Sequence, residues 1–487
     1  MAGPQVLSSG EDAASISCDA LVLGAFSSEG GEIALEAANL EEPLRSQVSE
    51  ALRAAGFKAK VGEVAVVPTL GMARARAIAV AGLGPRNEAT AAHVRKAAAC
   101  ASRTLSERSE IASALHHAVD QTAAASTDGF LLGSYRFTSY KSDPRPSRIQ
   151  RILCLGATDS EIERGTIFAE ATLLARDLTN EPSSTLTPAV LGRRSTEIAD
   201  VSGLESNVLD ARELEERGFN GILAVGKGSV EPPFLIRLRY VPNRATGKIV
   251  LVGKGVTFDS GGLSLKDLNG MEQMKTDKAG AAAVIGAMSA LPRLEPSIEV
   301  QAIIPAVENM PSGSALRPGD VIRHYGGRTT EVLNTDAEGR LLLADALALA
   351  CEEQPDAIVD LATLTGAIVV ALGNKASGLF ANNEMLLEEL KKAAAAAGER
   401  MWPMPLLDEY KNELDSTIAD CKNRGPRYGG AIFAALFLQA FVRDGIPWAH
   451  FDIAGAARAD RDYEEMSTGG TGVGTRTLLH WIEGRGH

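Results

Sequence analysis

The chain has 487 residues, 45% hydrophobic and 23% charged, a balance that supplies a large aliphatic core, excludes wholesale disorder and suits two or three domains. Forty-nine basic residues against 62 acidic ones give a net charge of −13, which disfavours nucleic acid as the principal partner. No apolar run approaches the roughly 18 residues that cross a bilayer, and five scattered cysteines without a C-x-x-C pair read as reduced thiols of a cytoplasmic protein. Early acids (Glu11, Asp12) and a first basic residue at Arg45 give no leader-peptide pattern.

In chain order, Ala20–Gly24 reads as a strand and Ile33–Ala55 as a helix interrupted by Pro43. Val64–Val67 and Ala77–Ala81 are strand-like, Ala91–Leu105 is helical, and Arg151–Gly156 is a strand. Helical periodicity over Glu161–Leu178 runs into the breaker Asn180-Glu181-Pro182-Ser183, which places a domain boundary on that helix near residue 165. Beyond it, strands are expected at Gly221–Val225, Phe234–Tyr240, Ile249–Val252, Val300–Pro305, Ala357–Leu361 and Ala449–Ile453. Helices are expected at Ala279–Leu291, ended by Pro292, and at Leu341–Glu352, Leu386–Ala397 and Ile432–Val442. The alternation predicts an α/β fold: a smaller N-terminal α/β domain, residues 1–165, ending in a linker helix, then a larger α/β domain, 166–487, around a mixed, largely parallel sheet.

Glycine-rich phosphate loops fail in detail. Gly221-x4-Gly226-Lys227-Gly228 lacks the Ser/Thr that would hold magnesium, and there is no H-E-x-x-H zinc motif. Two acidic clusters stand out instead. Lys254, Asp259, Lys266 and Asp277 follow the strand Ile249–Val252, and Asp336 and Glu338 lie between an extended Thr329–Leu333 and a helix. In extended chain, residues i and i+2 share a side, so Asp336 and Glu338 would face one point, at the strand ends where α/β sheets bind ligands. Three of the four acids also have a purely structural reading: Asp277 as a helix N-cap, Glu338 in a Thr335-x-x-Glu338 capping box, Asp259 as an Asx turn. Together those readings leave Lys254, Lys266 and Arg340 unexplained. Four converging carboxylates would resist ionisation; two divalent cations would offset them, and oxygen ligands suit manganese, magnesium or zinc.

Val252-Gly253-Lys254-Gly255-Val256-Thr257-Phe258-Asp259-Ser260-Gly261-Gly262 and Asn334-Thr335-Asp336-Ala337-Glu338-Gly339-Arg340-Leu341 resemble the two signature segments of the leucyl (cytosol) aminopeptidase family, of the bacterial aminopeptidase A type. Asp360–Gly366, Ala449–Gly455, Thr471–Gly474 and Gly133–Phe137 match as well. The resemblance implies a dimetal aminopeptidase that releases N-terminal residues, leucine and other apolar ones preferred, by attack of a water bridging two ions, manganese or zinc. One ion would be held by Asp259, Asp336 and Glu338, the other by Lys254, Asp259, Asp277 and Glu338, with Lys254 neutral. Lys266 would stabilise the oxyanion, and Arg340 would hold a bicarbonate that relays a proton. Met274, Asn334, Thr363, Leu364, Gly366 and Ala454 would bind substrate. The resemblance also implies a homohexamer.

Two departures stand out. Lys278 follows Asp277 where the family usually has an apolar residue, and is expected to point outward from the helix start. Ala457 replaces a pocket-floor Met and would widen the pocket. An additional DNA-binding role for the N-terminal domain would rest on residues 51–100, with eight basic and two acidic residues.

Overall fold

The computed structural model describes residues 3–28, 33–36 and 40–486. These form two compact units, the first comprising residues up to Leu173 together with Asp460–Thr468, the second Leu174–Ala459 and the residues from Gly469 onward; the division falls within the helix Asp159–Asn180.

The first unit is built on a seven-stranded sheet in the order Gln5–Ser9, Arg151–Leu155, Glu110–Ser113, Ala20–Ser27, Ala77–Pro85, Val64–Pro68, with Ile33–Glu36 beside Ala20–Ser27. The first five run parallel; Val64–Pro68 and Ile33–Glu36 are antiparallel. Alternation within the buried strand explains the layers. Leu21 and Leu23 pack on Leu44, Val48 and Leu52 of the helix Leu44–Ala54, while Ala20 and Val22 pack on Val94, Ala97 and Ala101 of Ala91–Thr104. The helix expected over Ile33–Ala55 therefore begins only at Leu44. Ile33–Glu36 instead pairs with Gly24–Ser27, where sheet hydrogen bonds override helical propensity, and residues 37–39 of that expectation lie outside the described residues.

The second unit carries a nine-stranded sheet, ordered Met401–Pro403, Ser377–Ala381, Trp448–Asp452, Ala357–Ala362, Lys248–Gly253, Glu299–Asn309, Phe234–Tyr240, Glu205–Leu209, with Gly255–Asp259 pairing along the far half of Glu299–Asn309. Its centre is parallel and its flanks are antiparallel: Phe234–Tyr240 against Glu299–Asn309, and Ser377–Ala381 against Trp448–Asp452. The helix Ala279–Leu294 is small and apolar on nearly every side and accordingly buried through most of its length. Pro292 does not end it; the chain leaves the helix at Glu295, which takes a left-handed conformation. The other face packs on Gly339–Glu352 and Gly430–Gln439, whose Leu341, Leu342, Ala346 and Phe437 meet Val250, Val252, Ile358 and Trp448.

Gly221–Val225 is not a strand but part of the helix Asn220–Gly226. A short apolar run fits either period. Here the helix wins because the Ile222 N–H donates to Asp345 Oδ2 (3.0 Å), so a buried carboxylate satisfies its first turn. Among the described residues no helix is long and apolar enough to cross a membrane.

Candidate active site

The carboxyl ends of the parallel strands deliver the site residues. Lys254 interrupts the chain between Lys248–Gly253 and Gly255–Asp259. Its N–H donates to Leu361 O (3.0 Å) and its carbonyl accepts from Ala281 N (2.9 Å), so strand and helix hold its backbone from both sides. Asp259 ends the next strand. Its Oδ1 accepts from Gly261 N (2.9 Å) and Asn309 Nδ2 (2.8 Å), and its Oδ2 meets Lys266 Nζ at 2.8 Å. The Asx turn is thus real, yet it uses only one of the two oxygens. Asp277 does not cap a helix: it lies in the 3-10 turn Met274–Lys278, and its Oδ1 accepts from Lys254 Nζ (2.8 Å) and Thr363 Oγ1 (2.7 Å).

Asp336 and Glu338 converge by another route than extended i, i+2 geometry. Asn334 Oδ1 accepts from Asp336 N (3.0 Å), turning the chain, and Glu338 already has helical backbone angles as the N-cap of Gly339–Glu352. No capping box forms. Thr335 Oγ1 donates to Gly261 O (2.7 Å) and accepts from Ser264 N (2.8 Å), tying the two acidic segments together. Gly339 is required by close approach, because a Cβ there would lie 2.6 Å from Lys254 Cε.

The result is an interleaved charge cluster. Lys254 Nζ lies 2.8 Å from Asp277 and 2.8 Å from Glu338, and Lys266 pairs with both Asp259 and Asp336. Burial alone would lower the pKa of Lys254, but Asp277, Glu338 and Asp259 outweigh it and push it up. Burial pushes the Asp277 carboxyl up to about 7 despite Lys254, and raises Asp259 and Asp336. Glu338 is held below its usual range because Lys254 and Lys266 overcome its burial. One oxygen from each of Asp259, Asp336 and Glu338 lies within 4.8 Å of the others, a donor set that suits a divalent cation.

Arg340 is buried. Its Nη1 donates to Asn423 O (2.8 Å), and its buried Nε has no hydrogen-bond partner among the described residues. Met274 sits half-buried on the 3-10 turn, Asn334 half-buried on the turn before Asp336, Thr363 and Leu364 half-buried after Ala357–Ala362, and Ala454 half-buried after Trp448–Asp452. Gly366 is exposed at the start of the helix Gly366–Leu372. Ala457 is buried.

Lys278 does not point outward. It is 1% exposed, and its Nζ donates to Glu181 O (2.9 Å) and Lys275 O (2.7 Å). Glu181 directly follows the helix Asp159–Asn180, and Lys275 lies on the same 3-10 turn as Lys278; burial lowers the Lys278 pKa to about 7. Two supporting residues gave no sequence signal. Asn309 holds Asp259 and Thr335 O from the far end of an eleven-residue strand, and Asn423 Oδ1 accepts from Leu333 N (2.8 Å) while its Nδ2 donates to Asn334 O (2.7 Å).

The family model described as the cytosol aminopeptidase family, catalytic domain, matches residues 173–479, and the N-terminal domain model of the same family matches residues 22–144. The chain belongs to the cytosol aminopeptidase family. It is 44% identical over 436 residues to a probable cytosol aminopeptidase of Aquifex aeolicus (strain VF5), spanning 88% of each chain. Among solved structures it resembles the bottromycin maturation enzyme BotP in complex with Mn, with 40% identity, a TM-score of 0.88, and coverage of 97% of this chain and 100% of that one. A mutant of tomato leucine aminopeptidase superposes with a TM-score of 0.87 at 33% identity, covering 99% and 97% of the two chains. As a member of this family the chain is an aminopeptidase, a hydrolase of peptide bonds, and its carboxylate cluster suits a divalent metal.

Proposed function

We propose that this cytosol aminopeptidase family member uses two divalent ions, manganese or zinc, to release N-terminal residues, leucine and other apolar ones preferred, from peptides. The observation that carries the reading is the convergence of Asp259, Asp336 and Glu338 oxygens within 4.8 Å, with Lys254 Nζ 2.8 Å from Glu338 and Asp277 on the adjoining side. Asp259, Asp336 and Glu338 would hold one ion. Lys254, Asp259, Asp277 and Glu338 would hold the second, with the positive charge of the ions depressing the Lys254 pKa enough to free its lone pair. Bound ions would supply Lewis acidity and lower the pKa of water toward 7.

The chain's own groups do the rest. Lys266 extends from the loop after Asp259 with its ammonium beside two carboxylates, and would donate to the scissile carbonyl oxygen as negative charge develops there. Asp277 would accept from the substrate α-ammonium. Arg340 keeps a buried, unpartnered Nε–H, which suits a small planar anion such as bicarbonate placed to pass a proton. Met274, Asn334, Thr363, Leu364, Gly366 and Ala454 would position the substrate's first residues. The family relationship supports a cytoplasmic homohexamer; six chains of 51.1 kDa make roughly 300 kDa.

The test is hydrolysis of leucine p-nitroanilide by the purified protein, before and after chelation and after return of manganese or zinc. Hydrolysis that chelation abolishes and metal restores is expected. Undiminished hydrolysis after complete metal removal would refute the reading.

A further inference from the structure

Asp452 is fully buried at the end of the strand Trp448–Asp452, in register with Ala362, the last residue of its parallel neighbour. Its carboxylate gathers donors from two loops. Oδ1 accepts from Leu364 N (3.2 Å), Thr365 N (3.4 Å) and Ala454 N (3.3 Å), and Oδ2 accepts from Thr365 Oγ1 (2.6 Å). Thr365 Oγ1 in turn accepts from Ile368 N (3.1 Å), capping the helix Gly366–Leu372. A single side chain thereby joins the loop after one strand to the loop after the next.

Those loops carry Thr363, Leu364, Gly366 and Ala454. An apolar residue at 452 would leave three backbone N–H groups without this acceptor, and a buried donor left unpaired is costly. Asp452 itself bonds to none of Asp259, Asp277, Asp336 and Glu338; its link toward them is the neighbouring Thr363, whose Oγ1 donates to Asp277 (2.7 Å) and whose carbonyl accepts from Lys254 Nζ (2.9 Å), so metal content is read beside the spacing of the two loops.

We infer that Asp452 is a positioning residue for side-chain selectivity, fixing the separation of the two loops that bound the N-terminal residue of the substrate. This rests on the proposed aminopeptidase reading of those loops. Loosening the clamp costs a large apolar side chain its close walls, while a small side chain has little contact to lose.

The experiment compares kcat/KM for leucine p-nitroanilide and alanine p-nitroanilide across wild type, Asp452→Ala and Asp452→Asn, with metal content measured alongside. Asp452→Ala is expected to lower the leucine-to-alanine ratio about tenfold, the scale of pocket discrimination between apolar side chains, with metal content unchanged. Asp452→Asn keeps an acceptor oxygen for the three N–H groups and is expected to keep the wild-type ratio. An unchanged ratio in Asp452→Ala, or an equal loss in Asp452→Asn, overturns the inference.

If Asp452→Ala does not fold, Thr365→Val and Thr365→Ser decide it. The first removes the Oδ2 donor and should lower the ratio; the second restores a hydroxyl and should recover it. A wild-type ratio in Thr365→Val overturns the inference. Wild-type protein that cleaves neither substrate would refute the aminopeptidase mechanism itself, a result distinct from a changed ratio.

Discussion

Gly339→Ala tests the placement of Lys254. The added Cβ would lie 2.6 Å from Lys254 Cε and 2.7 Å from Lys254 Nζ, where ordinary contact begins near 3.4 Å, so the end of the lysine must move by the difference, about 0.8 Å. Against this stands the helix: Ala in place of Gly in the first turn of Gly339–Glu352 favours it by up to about 1 kcal/mol. Overpacking costs of about 1–3 kcal/mol apply here, because the lysine end that must yield is buried and held by Asp277, Glu338 and Thr363 O. Thermal stability should therefore fall modestly, by about 1–2 kcal/mol once the helical gain is set against the overpacking. The displaced Nζ, however, leaves its 2.8 Å contacts to Asp277 and Glu338, and a misplacement near 1 Å at a reacting centre costs on the order of 10²-fold in rate. The assay is kcat/KM on leucine p-nitroanilide beside a melting curve and metal analysis. Gly484→Ala serves as the control, since a Cβ at that helical position meets nothing within 4 Å and should leave activity intact. Wild-type turnover by Gly339→Ala with wild-type metal content would refute the assigned role of Lys254.

Further expectations concern the same machinery and the first unit. Glu338→Ala or Asp259→Ala should lose metal and several orders of magnitude in rate, as shared oxygen ligands do; near-wild-type turnover of the metal-replete variants would exclude shared ligation. Lys266→Ala should retain metal but lose about 10²–10³ in kcat, the scale for a missing oxyanion donor, and metal loss with an unchanged intrinsic rate would show a ligand-holding role instead. N-acetylation of leucine p-nitroanilide should abolish cleavage, whereas comparable turnover would point to a hydrolase indifferent to the α-amine. In the first unit, the N–H groups of Glu110 and Ser109 hold Asp19 below its ordinary carboxylate range. Its folded-state pKa is depressed, so its contribution is present above the unfolded value and is lost as pH falls through the folded value. Urea unfolding at neutral pH and near pH 3 should show a shallower acid loss for Asp19→Asn than for wild type, and identical acid profiles would contradict this.

Much of the fold was legible because the parallel strands are buried on both faces and read as short apolar runs between polar breaks. Ala357–Ala362 differs from its expected limits by one residue at its end, and the antiparallel Phe234–Tyr240 appears with its limits as expected. Gly221–Val225 failed for the same reason that made the others readable: four or five apolar residues carry no period, and only the distant Asp345 shows that the run is helical. Asp259, Asp277, Asp336 and Glu338 could be singled out by residue type and motif, but how they converge could not. The turn at Asn334 and the helical Glu338 replace an extended alternation, and Thr335 spends its hydroxyl on Gly261 and Ser264. Lys278 shows the limit most clearly. A lysine at a helix start reads as solvent-facing, and it is the distant Glu181 carbonyl, joined by the local Lys275 carbonyl, that makes burial of its amino group tolerable. Apart from Ala454 N on Asp452, the side-chain hydrogen bonds of Asn309, Asn423 and Asp452 reach residues 26 to 90 away in sequence, which no local pattern records.

The most direct test of the two-ion mechanism is elemental analysis of the purified protein, titrated against activity as chelated metal is returned. The arrangement of Lys254, Asp259, Asp277, Asp336 and Glu338 predicts activity rising with occupancy to a plateau at two ions per chain, and the plateau falling toward one ion in Asp277→Ala. Full activity at one ion per chain, or at none, would contradict it.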